Sequence, residues 1–229
     1  MLLAHLANLV HLTSLAIQPA QGTLLPAAGP AYSALTASST LQELALRYMN
    51  LPAGVWSYVF PAARLLPHLT SLEVWDGVLE DGLLQVAPPS AWSAADVSSL
   101  ATCCPNLRTI GSMVMQHGLH VTALQQLTAL TALSVFFASS DMPVTQESLQ
   151  GLAALTQLSA LDVTVGSMLA AEYMLPLTNL TALTALDCNQ PDLPTKLHTE
   201  ASSRCTRTMM GDNADVSFLV DATCRTCHT

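Results

Sequence analysis

Cys224, Cys227 and His228, near the C-terminus, have the types and the spacing that could do chemistry. Two cysteines separated by two residues and followed at once by histidine fit the attachment pattern of c-type haem. Haem attachment also needs a surrounding pocket and a second axial ligand, whereas this string ends one residue before the C-terminus in a stretch without helical periodicity. We therefore expect no haem, and no other cofactor, in this protein.

Cys205 adds a third thiol to the same tail, and three cysteines with one histidine are enough ligands for zinc. Cys205 has no second cysteine close to it, so the spacing favours thiols that bind no metal. The sequence contains no glycine-rich phosphate loop, no His-Glu-x-x-His string and no Gly-x-Ser-x-Gly elbow. It thus predicts a protein without a metal site, without catalytic residues and without enzymatic activity.

The charge distribution argues against two classes of partner. Up to residue 190 the chain has 3 basic and 11 acidic side chains, a balance of −8. Phosphate groups are bound by clustered lysines and arginines, so we expect neither nucleic acid nor an anionic membrane as a partner. No apolar run is long enough to span a membrane, and the apolar N-terminus lacks the basic start of a secretory signal. These features predict a cytoplasmic protein with reduced cysteines.

A recurring leucine spacing indicates the elements that must position any binding residue. In LTALTALSV, residues 127–135, leucines lie three residues apart, and the last apolar pair, Leu133 and Val135, lies two apart. Leucines at every third position drift off one helix face, whereas side chains two apart on a strand point the same way. The stretch therefore predicts the end of a helix, a tight bend and a short strand.

The same spacing returns throughout the chain. The residues that close the last three-residue step are Leu15, Leu44, Leu72, Ile110, Leu133, Leu161 and Leu186. Their intervals run from 23 to 38 residues, and all but one are of 29 residues or fewer. Such intervals indicate a repeat array, in which short units bury their apolar faces against their neighbours.

On these residues the chain resembles the leucine-rich-repeat family over about residues 2–193. Six units fill the three apolar positions of the family's strand motif: Leu12, Leu15 and Ile17; Leu41, Leu44 and Leu46; Leu69, Leu72 and Val74; Leu130, Leu133 and Val135; Leu158, Leu161 and Val163; Leu183, Leu186 and Cys188. The resemblance implies an α/β solenoid, a curved right-handed superhelix of about seven strand-turn-helix units, irregular in detail. It implies an array over residues 1–190 and a C-terminal tail or degenerate cap over 191–229.

Two segments between the strands carry signals of a helix start. Ser93 and Asp96 have capping-box spacing, in which the hydroxyl and the carboxylate each accept a backbone N–H of the first turn. Thr145 stands two residues before Glu147, which favours a helix N-terminus through its cap and its dipole. Both signals agree with helices on the side of the array opposite the strands.

Two departures from the family pattern predict a less regular coil. In the fourth unit Ser112 stands where the third apolar residue belongs. The family's Asn or Cys position after each strand holds other residues throughout: Ala20, Met49, Gly77, Met115, Ala138, Gly166 and Pro191. The side-chain ladder that this position usually forms is therefore lost, and the backbone groups need other partners or water.

The concave face of such an array is lined by the side chains that lie between and just after the strand leucines. The resemblance assigns to it Glu43, Arg47, Glu73, Trp75, Met113, Phe136, Asp162 and Asp187. Trp75, Met113 and Phe136 form a candidate stripe of interface anchors, and the alternative is that they pack against neighbouring loops. The carboxylates either attract a basic partner or only solvate the face.

We therefore expect a non-catalytic scaffold that binds another protein through this face. The string CCPNLRTI, residues 103–110, is similar to the cysteine-containing subtype found in F-box proteins. The alternative function is thus the substrate-recognition portion of an F-box-type ubiquitin ligase receptor that lacks its F-box. The wording LTALTAL also resembles arrays abundant in green algae, many with cytoskeletal or axonemal locations.

Overall fold

A seven-stranded parallel sheet organises the computed structural model, which describes residues 2–18, 29–47, 49, 51–75, 79–80, 83–84, 91–115, 118–137, 146–165 and 176–189. The described strands are β1 (Ser14–Ile17), β2 (Glu43–Arg47), β3 (Ser71–Trp75), β4 (Leu79–Glu80), β5 (Leu83–Leu84), β6 (Thr109–Met115), β7 (Ala132–Phe137), β8 (Ala160–Val165) and β9 (Ala185–Asn189). The sheet runs β1-β2-β3-β6-β7-β8-β9, in chain order, while β4 and β5 form a separate antiparallel pair.

Short helices connect the parallel strands. They are α1 (Leu2–Leu6), α2 (Trp56–Val59), α3 (Ala94–Cys103) and α4 (Gln146–Ala153), with 3-10 helices over Gly29–Thr36 and Gly118–Gln126. The predicted α/β class is confirmed, and the chain-ordered parallel sheet is compatible with a solenoid-like arrangement. The capping box of α3 is confirmed, since Asp96 N–H donates to Ser93 Oγ at 3.2 Å and Ser93 N–H donates to Asp96 Oδ2 at 3.0 Å. Thr145 lies outside the described residues, as does the tail from residue 190.

The strand leucines form one continuous row across the sheet, which we call the inner row. Its members are in register from strand to strand: Leu15, Leu44, Leu72, Ile110, Leu133, Leu161 and Leu186. Its five central members are buried, and the two at the ends, Leu15 and Leu186, are partly exposed. Because each strand is short, its burial depends on both neighbours, as expected for units that stack in one dimension.

At the entrance of each strand, a carbonyl of one unit accepts N–H groups of the next. The Thr13 carbonyl accepts from the N–H groups of Gln42 and Glu43 at 2.7 and 3.2 Å. The carbonyls of Gln42, Thr70, Arg108, Thr131 and Ser159 do the same for the following units, all within 3.1 Å. Each of the six junctions of the sheet is therefore closed by the same pair of backbone hydrogen bonds.

Side-chain hydroxyls join these carbonyls and form what we call the hydroxyl ladder. The Thr70 hydroxyl donates to the Gln42 carbonyl at 3.3 Å, and the Thr131 hydroxyl donates to the Arg108 carbonyl at 3.2 Å. The Ser159 hydroxyl donates to the Thr131 carbonyl at 3.1 Å, and the Thr184 hydroxyl donates to the Ser159 carbonyl at 2.9 Å. These contacts tie successive units at the entrance of each strand, whereas the side-chain ladder implied by the leucine-rich-repeat resemblance would follow the strand. The Thr or Ser that follows a leucine in LTSL, LTAL and LSAL strings is the sequence signal for them.

Strand β6 contains one extra residue. Ile110 is in register with Leu133, but the next paired residues are Met113 and Val135, so three steps on β6 match two on β7. Ser112 adopts a left-handed backbone with φ of 56° at this point. A residue in this conformation is a common device for a β-bulge, because it takes one residue out of the pleat.

The insertion between β3 and α3 is anchored by aromatic packing. Trp92 makes an isolated bridge to Met115 at the end of β6, and its N–H donates to the Val114 carbonyl at 2.8 Å. Its ring stacks on Trp56 with centroids 4.1 Å apart and an interplanar angle of 14°. Phe60 completes this buried cluster, 6.0 Å from Trp92.

Among the described residues, no helix has the length and hydropathy to cross a membrane.

Candidate binding surface on the outer face of the sheet

The side chains of the parallel strands that alternate with the inner row point away from the core, and we call this side the outer face. Its middle row consists of Ala16, Ala45, Glu73 and Gly111 and, beyond the register shift in β6, of Ser134 and Asp162, with the backbone position of Asp187 next in register. Gly111 and Ser134 lie between Glu73 and Asp162 in this row. Along this row the surface of the sheet therefore lies close to the backbone, and a few long side chains project from it.

Two of the predicted binding carboxylates receive hydrogen bonds from serine hydroxyls on neighbouring strands. Ser14 Oγ donates to Glu43 Oε2 at 3.0 Å, and Ser134 Oγ donates to Asp162 Oδ2 at 2.8 Å. In both cases the serine stands directly opposite the carboxylate in the register. Hydroxyl donors fix the carboxylate positions and add no positive charge of their own.

Arg47 and Glu73 form a bidentate ion pair on the outer face. Arg47 Nε donates to Glu73 Oε1 at 3.0 Å, and Arg47 Nη2 donates to Glu73 Oε2 at 2.6 Å. Arg47 stands opposite Trp75 in the register, so its side chain reaches back two positions along β3 to meet the carboxylate. Both side chains are partly exposed, so the pair contributes at most about 1 kcal/mol to stability. Its main effect is to hold Arg47 beside Trp75.

Two large apolar side chains of the predicted stripe lie on the outer face. Trp75 is 46% exposed at the end of β3, and Phe136 is half-buried on β7. Large aromatic side chains that remain accessible among polar groups are typical anchors of protein interfaces. The predicted placement of Trp75 and Phe136 on this face agrees with the structure.

The predicted placement of Met113 on the outer face is wrong. Met113 is fully buried, in register with Val135, because the bulge at Ser112 turns its side chain inward. Val114 takes the place opposite Phe136 and is itself buried. The stripe of three anchors is thus reduced to two, Trp75 and Phe136, on either side of β6.

Asp187 follows Asp162 in the register, one strand further along the sheet. Its backbone position is described, and its side chain lies outside the described set. The sequence reasoning placed the carboxylates correctly on the strands but missed Ser14 and Ser134 as their hydrogen-bond donors. Each serine is seen to stand opposite its carboxylate only after the strands have been aligned in register.

Across the part of the chain that the structure describes, no three His, Cys, Asp or Glu side chains come together as metal ligands would. Cys103 and Cys104 are buried at the end of α3, away from this face. Burial raises the pKa of both thiols, and the Arg64 guanidinium opposes the rise at Cys103. Protonated, buried thiols are poor nucleophiles.

Comparisons with known proteins leave the family of this chain open. A scan against protein-family models finds no match to this chain, and a search of curated proteins finds no relative. The function must therefore be argued from the outer face itself.

Proposed function

We propose that this chain is a leucine-rich-repeat scaffold that binds another protein through the outer face of its sheet, which is the concave face of such an array. The regular leucine triplets and the parallel sheet in chain order support the repeat class. The observation that carries the binding role is the exposed Trp75 beside the Arg47–Glu73 pair. Binding proceeds by surface complementarity, without catalysis.

The partner is a basic protein segment. Glu43, an exposed carboxylate of the outer face, accepts from the Ser14 hydroxyl, and the whole chain has a formal charge of −9. A negative face accelerates the association of a positively charged partner, and salt screens this effect. A lysine or arginine of the partner can also stack on the Trp75 ring, which adds about 0.5–1 kcal/mol at an exposed site.

The middle row admits the partner closely. Ala16 and Ala45 carry no side chain beyond Cβ, so a partner backbone can approach the sheet beside Glu43. A cytoplasmic location belongs to the same proposal, and it would keep the buried Cys103 and Cys104 as thiols.

An affinity capture from lysate with the wild-type chain and the Trp75→Ala/Phe136→Ala double variant tests the binding surface. We expect the double variant to lose the captured proteins, because aromatic anchors contribute about 2 kcal/mol or more each at an interface centre. Leu65→Ala is the matched control, since Leu65 is exposed and lies outside the sheet. Equal capture by the wild type and the double variant would refute the proposal.

The charge of the partner is tested separately with the captured protein. For Glu43→Gln, which keeps the shape of the side chain, we expect a slower association rate at low salt and little difference at high salt. A rate that is the same for both chains at low salt would contradict a basic partner while leaving the aromatic anchors in place.

A further inference from the structure

The register of β2 and β3 sets the distance between two exposed side chains of the outer face. Glu43, the first residue of β2, stands opposite Ser71, the first residue of β3. Trp75 ends β3, four residues after Ser71 and on the same face. Because a strand rises by about 3.3 Å per residue and neighbouring strands lie about 4.8 Å apart, the Cα atoms of Glu43 and Trp75 are about 14 Å apart. Both side chains are exposed, so one bound segment can contact them together.

Glu43 is oriented for a cation that this part of the chain does not supply. The Ser14 hydroxyl donates to Glu43 Oε2 at 3.0 Å and orients the carboxylate. Among the residues that the structure describes, no hydrogen bond or ion pair reaches Glu43 Oε1. Arg47, the basic residue of the same strand, donates to Glu73 instead. An arginine or lysine of a partner is therefore the group that complements Glu43.

The Arg47–Glu73 ion pair makes the surface around Trp75 suitable for a second cation. The two hydrogen bonds of this pair, at 3.0 and 2.6 Å, hold the Glu73 carboxylate against the guanidinium. Since Glu73 compensates its charge, Arg47 repels a cation over the Trp75 ring much less than an uncompensated guanidinium would. The face of a tryptophan ring attracts a cation within about 6 Å of its centre. A basic side chain therefore fits both ends of the 14 Å separation derived above, which is about four residues of extended chain.

This separation favours an extended partner over a helical one. An extended chain that runs along β2 and β3 advances about 13 Å in four residues, and residues four apart point to the same side. A helix needs about nine residues for the same advance, which is about two and a half turns, so the two side chains would point in opposite directions. The residue halfway along the extended chain faces Ala45 and the Arg47–Glu73 pair, where a small side chain fits best.

From this geometry we propose that the outer face binds an extended peptide segment with two basic side chains four residues apart. One basic side chain forms an ion pair with Glu43, and the other stacks on Trp75. Both chain directions satisfy the spacing, because the two contacts require the same type of side chain. This inference rests on the proposed binding role of the outer face, and it adds the conformation of the partner and the spacing of its charges.

Two synthetic peptides of the same composition test the spacing. Both consist of glycine and serine with two arginines, which are four residues apart in one peptide and three apart in the other, so their net charges are equal. In an extended chain, side chains three apart point to opposite sides, so the second peptide makes one contact at a time. Fluorescence anisotropy of the labelled peptides at low salt measures their binding to the wild type, Glu43→Gln and Trp75→Ala. Leu65→Ala is the control, because Leu65 is exposed and lies outside the sheet.

The wild type and the control should bind the peptide with four-residue spacing about two- to fivefold more tightly than the other peptide, because it gains a second exposed contact. Glu43→Gln and Trp75→Ala should each bring this ratio to about one, because each removes one contact. If circular dichroism shows that Trp75→Ala is unfolded, Trp75→Leu, which keeps an apolar side chain but lacks the ring, replaces it.

Equal binding of the two peptides by the wild type would overturn the inference, and so would a preference that persists in either variant. Equal binding that Trp75→Ala still weakens for both peptides would refute the spacing alone and leave the outer face as a surface for basic segments. Binding that neither variant changes would refute the proposed function as well.

Discussion

Removal of the hydroxyl ladder should lower the stability of the fold without altering its packing. The triple variant Thr70→Val, Thr131→Val and Ser159→Ala deletes three hydroxyls that donate across junctions at 3.3, 3.2 and 3.1 Å. Valine keeps the branched shape of threonine and has a comparable preference for extended backbone. The change therefore removes hydrogen bonds more than it removes contacts.

The expected loss follows from the surroundings of the three hydroxyls. A typical intramolecular hydrogen bond contributes about 0.5–1.5 kcal/mol, and partial exposure puts these three in the lower half of that range. Their sum is about 1.5–3 kcal/mol, if the junctions act independently. For a chain of this length, that corresponds to a fall in melting temperature of about 3–12 °C.

Urea unfolding followed by far-ultraviolet circular dichroism measures this loss. Thr102→Val is the matched control, because the Thr102 hydroxyl donates within α3 to the Ser98 carbonyl and joins no two units. A second variant with serine at positions 70 and 131 keeps the hydroxyls and should stay close to the wild type. A triple variant as stable as the wild type, or serine variants as unstable as the valine ones, would refute the ladder as a stabilising feature.

Other expectations concern the bulge, the thiols and the aromatic cluster. Ser112→Gly should raise the free energy of unfolding, measured in urea, by up to about 1 kcal/mol, because glycine adopts the φ of 56° without steric cost. Ser112→Val should lower the free energy of unfolding. Burial raises the pKa values of Cys103 and Cys104, so the folded state favours the neutral thiols. Their contribution to the stability of the fold is complete below the ordinary thiol pKa of 9.0 and is lost as pH rises above it. The wild type should therefore lose more stability between pH 7 and pH 10 than a Cys104→Ala variant, and equal losses would contradict this. Trp92→Ala should cost about 3–5 kcal/mol and abolish the stacking with Trp56, as a changed near-ultraviolet circular dichroism spectrum would show.

Periodicity alone was enough to predict the inner row. Each member except Ile110 is fixed twice, by a leucine three residues before it and an apolar residue two after it, so one irregular position cannot displace the whole set. The same redundancy placed Glu43, Glu73 and Asp162 on the outer face. Alternation on a strand then decides the face of every neighbour, as long as the pleat is unbroken.

Met113 shows where this reasoning fails. Its predicted place followed from counting along β6, and one left-handed residue, Ser112, shifted the alternation by one. Serine at that conformation has no local sequence signature, unlike glycine or asparagine. The substitution of Ser112 for an apolar strand residue was visible in the sequence, but it could not reveal the bulge.

The hydroxyl ladder and the aromatic cluster were missed for a different reason. A threonine after a leucine is as common in helices and turns as at strand entrances, and only the junction carbonyl 3.2 Å from Thr131 gives it a structural role. Trp92 and Trp56 lie 36 positions apart, so their stacking depends on how the insertion returns to the sheet. Contacts of this kind arise from the tertiary fold and leave no periodic trace.

The bulge in β6 also bears on how the array can change in length. It lies at the junction that also contains the long insertion between β3 and α3, and the strands after it, β7 to β9, keep an unbroken register with one another. One surplus residue is thus absorbed within a single strand. Insertions and deletions over evolutionary time should be tolerated best at this junction, while a single inserted residue in β7 or β8 would transfer a leucine from the core to solvent.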